Sequence, residues 1–228
     1  MKRIQSAQIQ RDLQKKMVFI VGPRQAGKTY LSKQLMPAYD RPVYLNYDQA
    51  TDRDVIIKQN WLPDTDLLIL DELHKHPKWK NYLKGLYDTK PKNMHLLIAG
   101  SARFDVFKEA GDSLAGRYFI HHLLPLSLSE LKQNGVTVKS SDLDKLITQS
   151  GFPEPWLAES NQEAARWRTT YIDSLITVDV LNFDNIHNLR AMKLVFECLR
   201  DRVGSPVSMQ RIAEEVRIAP NTVKKYIQ

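Results

Sequence analysis

Gly22-Pro-Arg-Gln-Ala-Gly-Lys-Thr29 follows the apolar run Met17-Val-Phe-Ile-Val21 and leads into a helical pattern from Lys28 to Met36. The eight residues fit G-x-x-x-x-G-K-[ST], and their context is what that pattern needs: a buried strand, a sharp loop, then a helix. The loop must fold back so that several backbone N–H groups converge on phosphate oxygens, which calls for glycines where a Cβ would block the ligand. Gly22 and Gly27 answer that demand. The helix adds its positive N-terminal end, Lys28 is placed to reach the β- and γ-phosphates, and the Thr29 hydroxyl to coordinate Mg²⁺. The candidate nucleotide-binding set is Gly22, Pro23, Arg24, Gln25, Ala26, Gly27, Lys28, Thr29 and Tyr30, with ATP and Mg²⁺ as expected ligands. An ordinary glycine-containing strand-to-helix turn is the competing reading.

A second apolar run, Asp66-Leu-Leu-Ile-Leu-Asp71-Glu72, closes on two acids. It reads as a buried parallel strand that carries its carboxylates to the sheet edge, a Walker B pattern complementing the Walker A loop. Asp71 is the candidate metal residue beside Thr29. Glu72 is the candidate base or orienter for the water attacking the γ-phosphate.

Around these motifs strand and helix patterns alternate, as in a parallel sheet with helical crossovers. Pro42–Asn46, Met94–Ala99 and Arg117–Leu123 complete a set of five strands, and Trp79–Asp88 reads as an amphipathic helix. Ser101, just past Gly100, is a candidate γ-phosphate sensor or water-positioning group. A serine that merely satisfies a turn is the alternative.

Composition sets wider bounds. The chain has 228 residues, 43% hydrophobic and 26% charged, which is ordinary for a globular protein with an ATPase-sized core and a smaller attached unit. No apolar stretch approaches the roughly 18 residues of a membrane span. The segment Met1–Lys16 lacks a secretory apolar core, and the single Cys198 has no partner for an internal disulfide, so a cytoplasmic compartment is expected. The formal charge of +7 favours polyanionic partners without specifying one. His74 with His76, and His121 with His122, lack zinc-site spacing and accompanying cysteines. Trp156 and Trp167 read as packing anchors rather than base-stacking platforms.

The C-terminal third is predominantly helical. Helical patterns cover Leu143–Gln149, Gln162–Val180 and Leu189–Val203, broken by Gly151, Pro153 and Pro155. Residues 205–228 read as a helix-turn-helix. Ser208 is the first cap, Ile212 and Val216 share a face, Pro220 opens the second helix, and Val223 with Ile227 forms its buried stripe. Asn221, Thr222, Lys224 and Lys225 then face outward. They are candidates for DNA contact, against the plainer reading of a packing module with solvated lysines.

The ordered set GPRQAGKT, LLILDELHKHPKW, LLIAGSARFDVF, DSLAGRYFIHHLLPLSLSEL and SGFPEPWL resembles the prokaryotic AAA-type ATPases in which an ATPase domain precedes a C-terminal domain of unknown function. Leu114-Ala-Gly-Arg117, Leu124-Pro-Leu-Ser127 and Gly151-Phe-Pro-Glu154 are its more specific parts. The resemblance implies a five-stranded parallel α/β sheet with helices on both faces, followed by a small all-helical region ending in a helix-turn-helix. It also implies that Arg117 acts as an arginine finger on a neighbouring subunit's ATP, with a structural ion-pair role as the alternative. Arg24 and Arg103 are weaker candidates, and a homo-oligomer is implied. The expected organisation is an ATPase domain at 1–135, a helical lid or linker at 136–203 and a partial winged helix at 204–228. Relatives of that kind continue through a winged-helix unit into a domain resembling restriction endonucleases, so that last domain is expected to be absent here.

These observations lead to one expected function, Mg²⁺-dependent ATP hydrolysis coupled to conformational change. The alternatives are a nucleotide-gated DNA-binding switch with little hydrolysis, and a degenerate scaffold kept for protein contacts.

Overall fold

The computed structural model describes residues 1–101, 114–175 and 188–227. Five strands, β1 (Met17–Gly22), β2 (Pro42–Asn46), β3 (Leu67–Asp71), β4 (His95–Ser101) and β5 (Tyr118–His122), form one parallel sheet in the order β2-β3-β4-β1-β5. All five expected strands are present, each within about two residues of its sequence reading. β4 separates β1 from β3.

The sheet is apolar on both faces because helices cover both, as a parallel sheet requires. Successive residues of β1 alternate between them. Met17, Phe19 and Val21 join Leu68, Leu70, Leu96 and Ile98 under α3 (Ala50–Lys58) and α4 (Trp79–Thr89), where Ile56, Leu83 and Leu86 are buried. Val18 and Ile20 join Leu67, Ile69 and Leu97 on the other face, under α1 (Ser6–Leu13) and α2 (Lys28–Leu35), through Ile9, Leu13, Leu31 and Leu35. Phe19 packs edge-on against Tyr118 at 5.4 Å and Trp79 at 6.4 Å between ring centroids. Burial of a phenylalanine of this kind is worth about 1.5–3 kcal/mol.

The chain divides into two compact units, Met1–Glu159 and Ser160–Gln228. Beyond the sheet, the first unit contains α5 (Leu128–Gln133), α6 (Ser140–Gln149) and α7 (Pro153–Leu157), which share a satellite core of Leu126, Leu131 and Trp156. Pro153 occupies the first position of α7, where its missing N–H costs nothing, so it starts a helix that the sequence reading had it break. Ser127 opens α5 with a capping box: its hydroxyl accepts from Glu130 N while the Glu130 side chain accepts from Ser127 N.

The second unit holds α8 (Asn161–Ser174), α9 (Leu189–Arg200), α10 (Met209–Val216) and α11 (Pro220–Ile227). The expected continuation of α8 to Val180 lies outside the described residues. Ser208 caps α10, accepting from Arg211 N at 3.4 Å, and α10 ends at Arg217 in a left-handed turn. Ala191, Val195, Ile212, Ala213, Val216 and Val223 make the core. Ile227 is 37% exposed, and Tyr226 packs against that core instead, which corrects the expected Val223–Ile227 stripe. Trp167 is likewise only half-buried, stacked on Tyr171 with centroids 4.7 Å apart. Trp156 is the true anchor of the pair. Among the described residues no helix is long and apolar enough to cross a membrane.

Candidate functional site

The C-terminal ends of β1, β3 and β4 meet at one edge of the sheet. Register places Asp71 beside Ala99 and Gly22 beside Ser101, so β4 runs two residues past the acid and carries Ser101 to the loop side. Strands lie about 4.8 Å apart, which separates β1 from β3 by about 10 Å. The loop 22–29 bridges that gap.

Within the loop, Gln25 (φ 60°) and Gly27 (φ 93°) adopt left-handed backbone, and Gly27 is the N-cap of α2. Left-handed residues interspersed in a turn bring successive N–H groups to one concave side, the arrangement that binds anions. Lys28 is buried, and its ammonium donates to the carbonyls of Gly22 at 3.0 Å and Pro23 at 2.7 Å, which holds it inside the loop. Ala26 is fully buried, and Tyr30 is exposed. The loop backbone, Lys28 and the α2 N-terminus fit a chain of phosphates.

Gly22 has a packing role as well. At its φ of 153° a Cβ would stand 2.2 Å from the carbonyl oxygen of Leu123, so the glycine makes room for the segment that follows β5. Leu123 N donates to Val21 O at 2.7 Å in the same place.

Thr29 and Asp71 meet directly. The Thr29 hydroxyl donates to Asp71 Oδ2 at 2.6 Å, and the Tyr44 phenol, from β2, donates to the same oxygen at 2.8 Å. Burial, and after it the Asp71 carboxylate, raises the Tyr44 pKa, keeping the phenol protonated as a donor. Lys33 lies 4.2 Å over the Tyr44 ring. An oxygen pair of this kind, hydroxyl plus oriented carboxylate, is a hard donor set suited to Mg²⁺. Tyr44 was not found by sequence reasoning, because only the β2–β3 pairing brings it to Asp71.

Glu72 turns away from the strand with a left-handed backbone (φ 56°), its N–H donating to Ala99 O and Asp71 Oδ1, both at 3.0 Å. Such a conformation in a non-glycine residue costs on the order of 1 kcal/mol and is held here by those two bonds. Burial pushes the Glu72 carboxyl pKa up, opposed by Lys75, whose ammonium stands 3.6 Å away, and raised further by Asp71. Lys75 also pairs with Asp48 at 2.5 Å, and His74 Nε2 lies 3.5 Å from Glu72. His74 falls in a single 3-10 turn, Leu73–Lys75.

Arg117 is elsewhere. Its carbonyl accepts from Met17 N, at the N-terminal edge of β1, about 16 Å along the strand from Gly22. Its guanidinium grips Asp88 through two bonds of 2.8 and 3.2 Å, which raises the arginine pKa and lowers the aspartate's. The edge that carries Arg117 is opposite its own phosphate loop. Arg103 lies outside the described residues, as does the Ser101 side chain.

Two of the three more specific sequence motifs, Leu124–Ser127 and Gly151–Glu154, also have a structural reason. Leu126 N donates to Gly151 O at 2.6 Å, and a Cβ on Gly151 would stand 2.5 Å from Leu126 O. Only glycine lets the two segments lie this close. Pro153, two residues on, brings Cγ within 3.8 Å of where a Gly27 side chain would begin.

A sequence-family model described as an AAA domain matches residues 14–132. The chain belongs to that family. A second model, a domain of unknown function (DUF8612), matches residues 140–228 beyond the AAA domain. An uncharacterized protein of Mycobacterium tuberculosis is 28% identical over 92% of this chain and 46% of its own length. An uncharacterized protein of Methanocaldococcus jannaschii is 25% identical over 90% and 52% respectively. The chain therefore spans about half the length of these curated relatives. Among solved structures, a Walker-type ATPase of Pyrococcus abyssi superposes with a TM-score of 0.55 at 11% identity, covering 84% of this chain and 77% of that one. The AAA domain here thus has the fold of a nucleotide-binding P-loop ATPase.

Proposed function

We propose that this AAA domain hydrolyses ATP with Mg²⁺ and couples that step to conformational change in the helical C-terminal portion. The observation that carries the reading is the Thr29–Asp71 hydrogen bond, which joins the phosphate loop to the acid pair at one sheet edge. Gly22 to Tyr30 bind the nucleotide, with Lys28 exchanging its loop carbonyls for the β- and γ-phosphates. Thr29 and Asp71 hold the metal. When bound, Mg²⁺ neutralises charge that develops on the phosphoryl oxygens.

Glu72 orients and deprotonates the attacking water. Burial raises its pKa, which makes it a stronger base than a solvated glutamate, and the nearby Lys75 opposes that rise. Ser101, the register partner of Gly22, serves in this reading as the γ-phosphate sensor or water-positioning group. Arg117 faces away from its own loop, so its catalytic role is one in trans, on the nucleotide of a second copy in a homo-oligomer. A cytoplasmic location agrees with this chemistry, since ATP is supplied there.

Calorimetric titration with ATP and ADP tests the reading at its base. The parent chain binds both at one site, and Lys28→Ala loses binding; equal affinity in the two proteins would remove the loop from the site.

A second reading, a nucleotide-gated DNA-binding switch, is favoured by one feature of α11. Asn221, Lys224 and Lys225 are exposed while Val223 is buried, and Thr222 is half-buried. In this reading nucleotide state sets the availability of that face, and a winged-helix type of contact meets phosphates and base edges. Lys224→Ala with Lys225→Ala then lowers the salt dependence of duplex binding by a slope of about 2. An unchanged slope, or no duplex binding by the parent, eliminates it.

A further inference from the structure

Arg3 is almost fully buried, yet it belongs to none of the groups assigned above. Its guanidinium spans three elements. Nε donates to Glu130 Oε1 at 2.7 Å, and Nη2 reaches Glu130 Oε2 at 3.4 Å. Nη2 also donates to the Leu124 carbonyl, and Nη1 donates to the carbonyl of Ala26, inside the phosphate loop, at 2.8 Å. The neighbouring backbone is fastened to α5 as well. Ile4 N donates to Glu130 Oε1 at 3.2 Å, Lys2 N to Asn134 Oδ1 at 2.7 Å, and Asn134 Nδ2 back to Lys2 O at 2.8 Å.

The contact to Ala26 has a geometric consequence. A trans peptide is planar, with its C=O and the following N–H pointing in opposite directions. Anchoring the Ala26 carbonyl on Arg3 therefore fixes the direction of the Gly27 N–H, at the residue that caps α2 and at the centre of the loop's left-handed turn. A loop with left-handed backbone at Gln25 and Gly27 has other ways to turn its peptides, and a fixed charged donor on one carbonyl selects among them. Glu130 supplies the countercharge, so the pair adds no net charge beside the phosphates. Its effect is one of shape.

We propose that Arg3, held by Glu130, is a positioning residue for nucleotide binding, which sets the phosphate loop in its binding conformation through the Ala26 carbonyl. The inference rests on the nucleotide-site reading given above. It adds to the site a segment twenty-three residues upstream of the loop carbonyl that it holds.

A double replacement separates this role from a merely structural one. Arg3→Met alone leaves Glu130 as a buried, unpaired carboxylate, which destabilises the fold whatever Arg3 does for the loop. Arg3→Met with Glu130→Gln removes both charges and their desolvation cost while the amide oxygen remains an acceptor for Ile4 N and Ser127 N, so folding stability returns toward the parent while the Ala26 carbonyl stays without its anchor. The measurements are urea unfolding without ligand and equilibrium binding of a fluorescent N-methylanthraniloyl ADP with Mg²⁺, on the parent, both variants and Arg3→Lys. The expected result is that the double variant unfolds at a midpoint near the parent's but binds the ADP probe at least ten-fold more weakly at unchanged stoichiometry. Arg3→Lys, which keeps the charge with fewer donors, falls between them in affinity. A stable double variant with parental affinity overturns the proposal and makes Arg3 only the structural partner of Glu130. So does a double variant whose affinity loss merely follows lost folding, with Arg3→Lys at parental affinity. A parent chain that binds neither ADP nor ATP overturns the nucleotide-site reading itself, a distinct result that takes this proposal with it.

Discussion

Thr29 donates its hydroxyl proton to Asp71 Oδ2 over 2.6 Å, across forty-two residues of sequence. The bond orients the carboxylate and closes the loop against the next strand but one. It also shows why neither motif is sufficient alone: the loop brings a hydroxyl, β3 brings an oriented acid, and β4 sets the spacing between them.

Tyr44 shares that oxygen, so Tyr44→Phe leaves Asp71 Oδ2 with the Thr29 bond alone, beside the Glu72 N–H on Oδ1. Loss of a group that orients a metal-binding carboxylate costs about 10–100-fold in metal affinity or activity. The expected outcome is a rise of about ten-fold in the Mg²⁺ concentration needed for half-maximal turnover. Binding of ADP without metal stays at the parental value. Turnover measured against Mg²⁺ checks this, and an unchanged requirement removes Tyr44 from the site.

The Glu72 carboxyl titrates above its ordinary 4.5, chiefly because burial disfavours the charged form. If Glu72 is the base, turnover needs its ionised form, so activity is lost as pH falls through that raised value, and the acid limb lies above 4.5. Stability runs in the opposite direction. A carboxyl with a raised folded pKa contributes stability below its unfolded pKa and loses it as pH rises through the folded one. Glu72→Gln is therefore expected to resist urea slightly better than the parent at neutral pH. Equal midpoints across the pH range would show that Glu72 titrates as it does in solvent.

Arg117 and Asp88 form a two-bond pair at the edge opposite the phosphate loop. If Arg117 completes the site of a second copy, specific activity rises with protein concentration in the parent and ceases to do so in Arg117→Ala. Asp88→Ala keeps the arginine, and with it the concentration dependence. A dilution series of all three proteins decides the matter: identical specific activity at every concentration, with Arg117→Ala indistinguishable from the parent, leaves only the ion pair.

Two glycines with positive φ separate backbone freedom from close approach. Gly22→Ala drives a methyl group into the Leu123 carbonyl at 2.2 Å, whereas Gly116 (φ 77°) has no heavy atom within 4 Å of its Cβ position. Gly22→Ala is expected to cost roughly 2–4 kcal/mol through overpacking and backbone strain together, and Gly116→Ala about 1 kcal/mol through strain alone. Urea unfolding of the two variants compares them directly.

The sheet was legible in the sequence because β1 and β3 are apolar runs ended by glycine and by acid, Met17–Gly22 and Leu67–Asp71, and the other strands are short apolar or aromatic runs at the spacing that helical crossovers need. The helices α1 and α3 were not. In α1 only Ile9 and Leu13 are buried aliphatics among polar neighbours, and in α3 the apolar residues Val55, Ile56 and Ile57 are consecutive rather than spaced along one face. Arg3 carries no local signal at all, since its partner Glu130 is 127 residues away. The Ser127-x-x-Glu130 capping box was readable in principle and marks one end of that pair. Ile227 misled because it continues the four-residue spacing from Val223, while the last turn of α11 presents Tyr226 to the core instead.

The most direct test of the central claim is Mg²⁺-dependent ATP turnover by this chain beside Glu72→Gln, with nucleotide affinity measured on the same samples. The account predicts that both proteins bind ATP and that turnover falls by about 10²–10⁴-fold in Glu72→Gln. Equal turnover in the two proteins, or binding with no turnover in the parent, would contradict it.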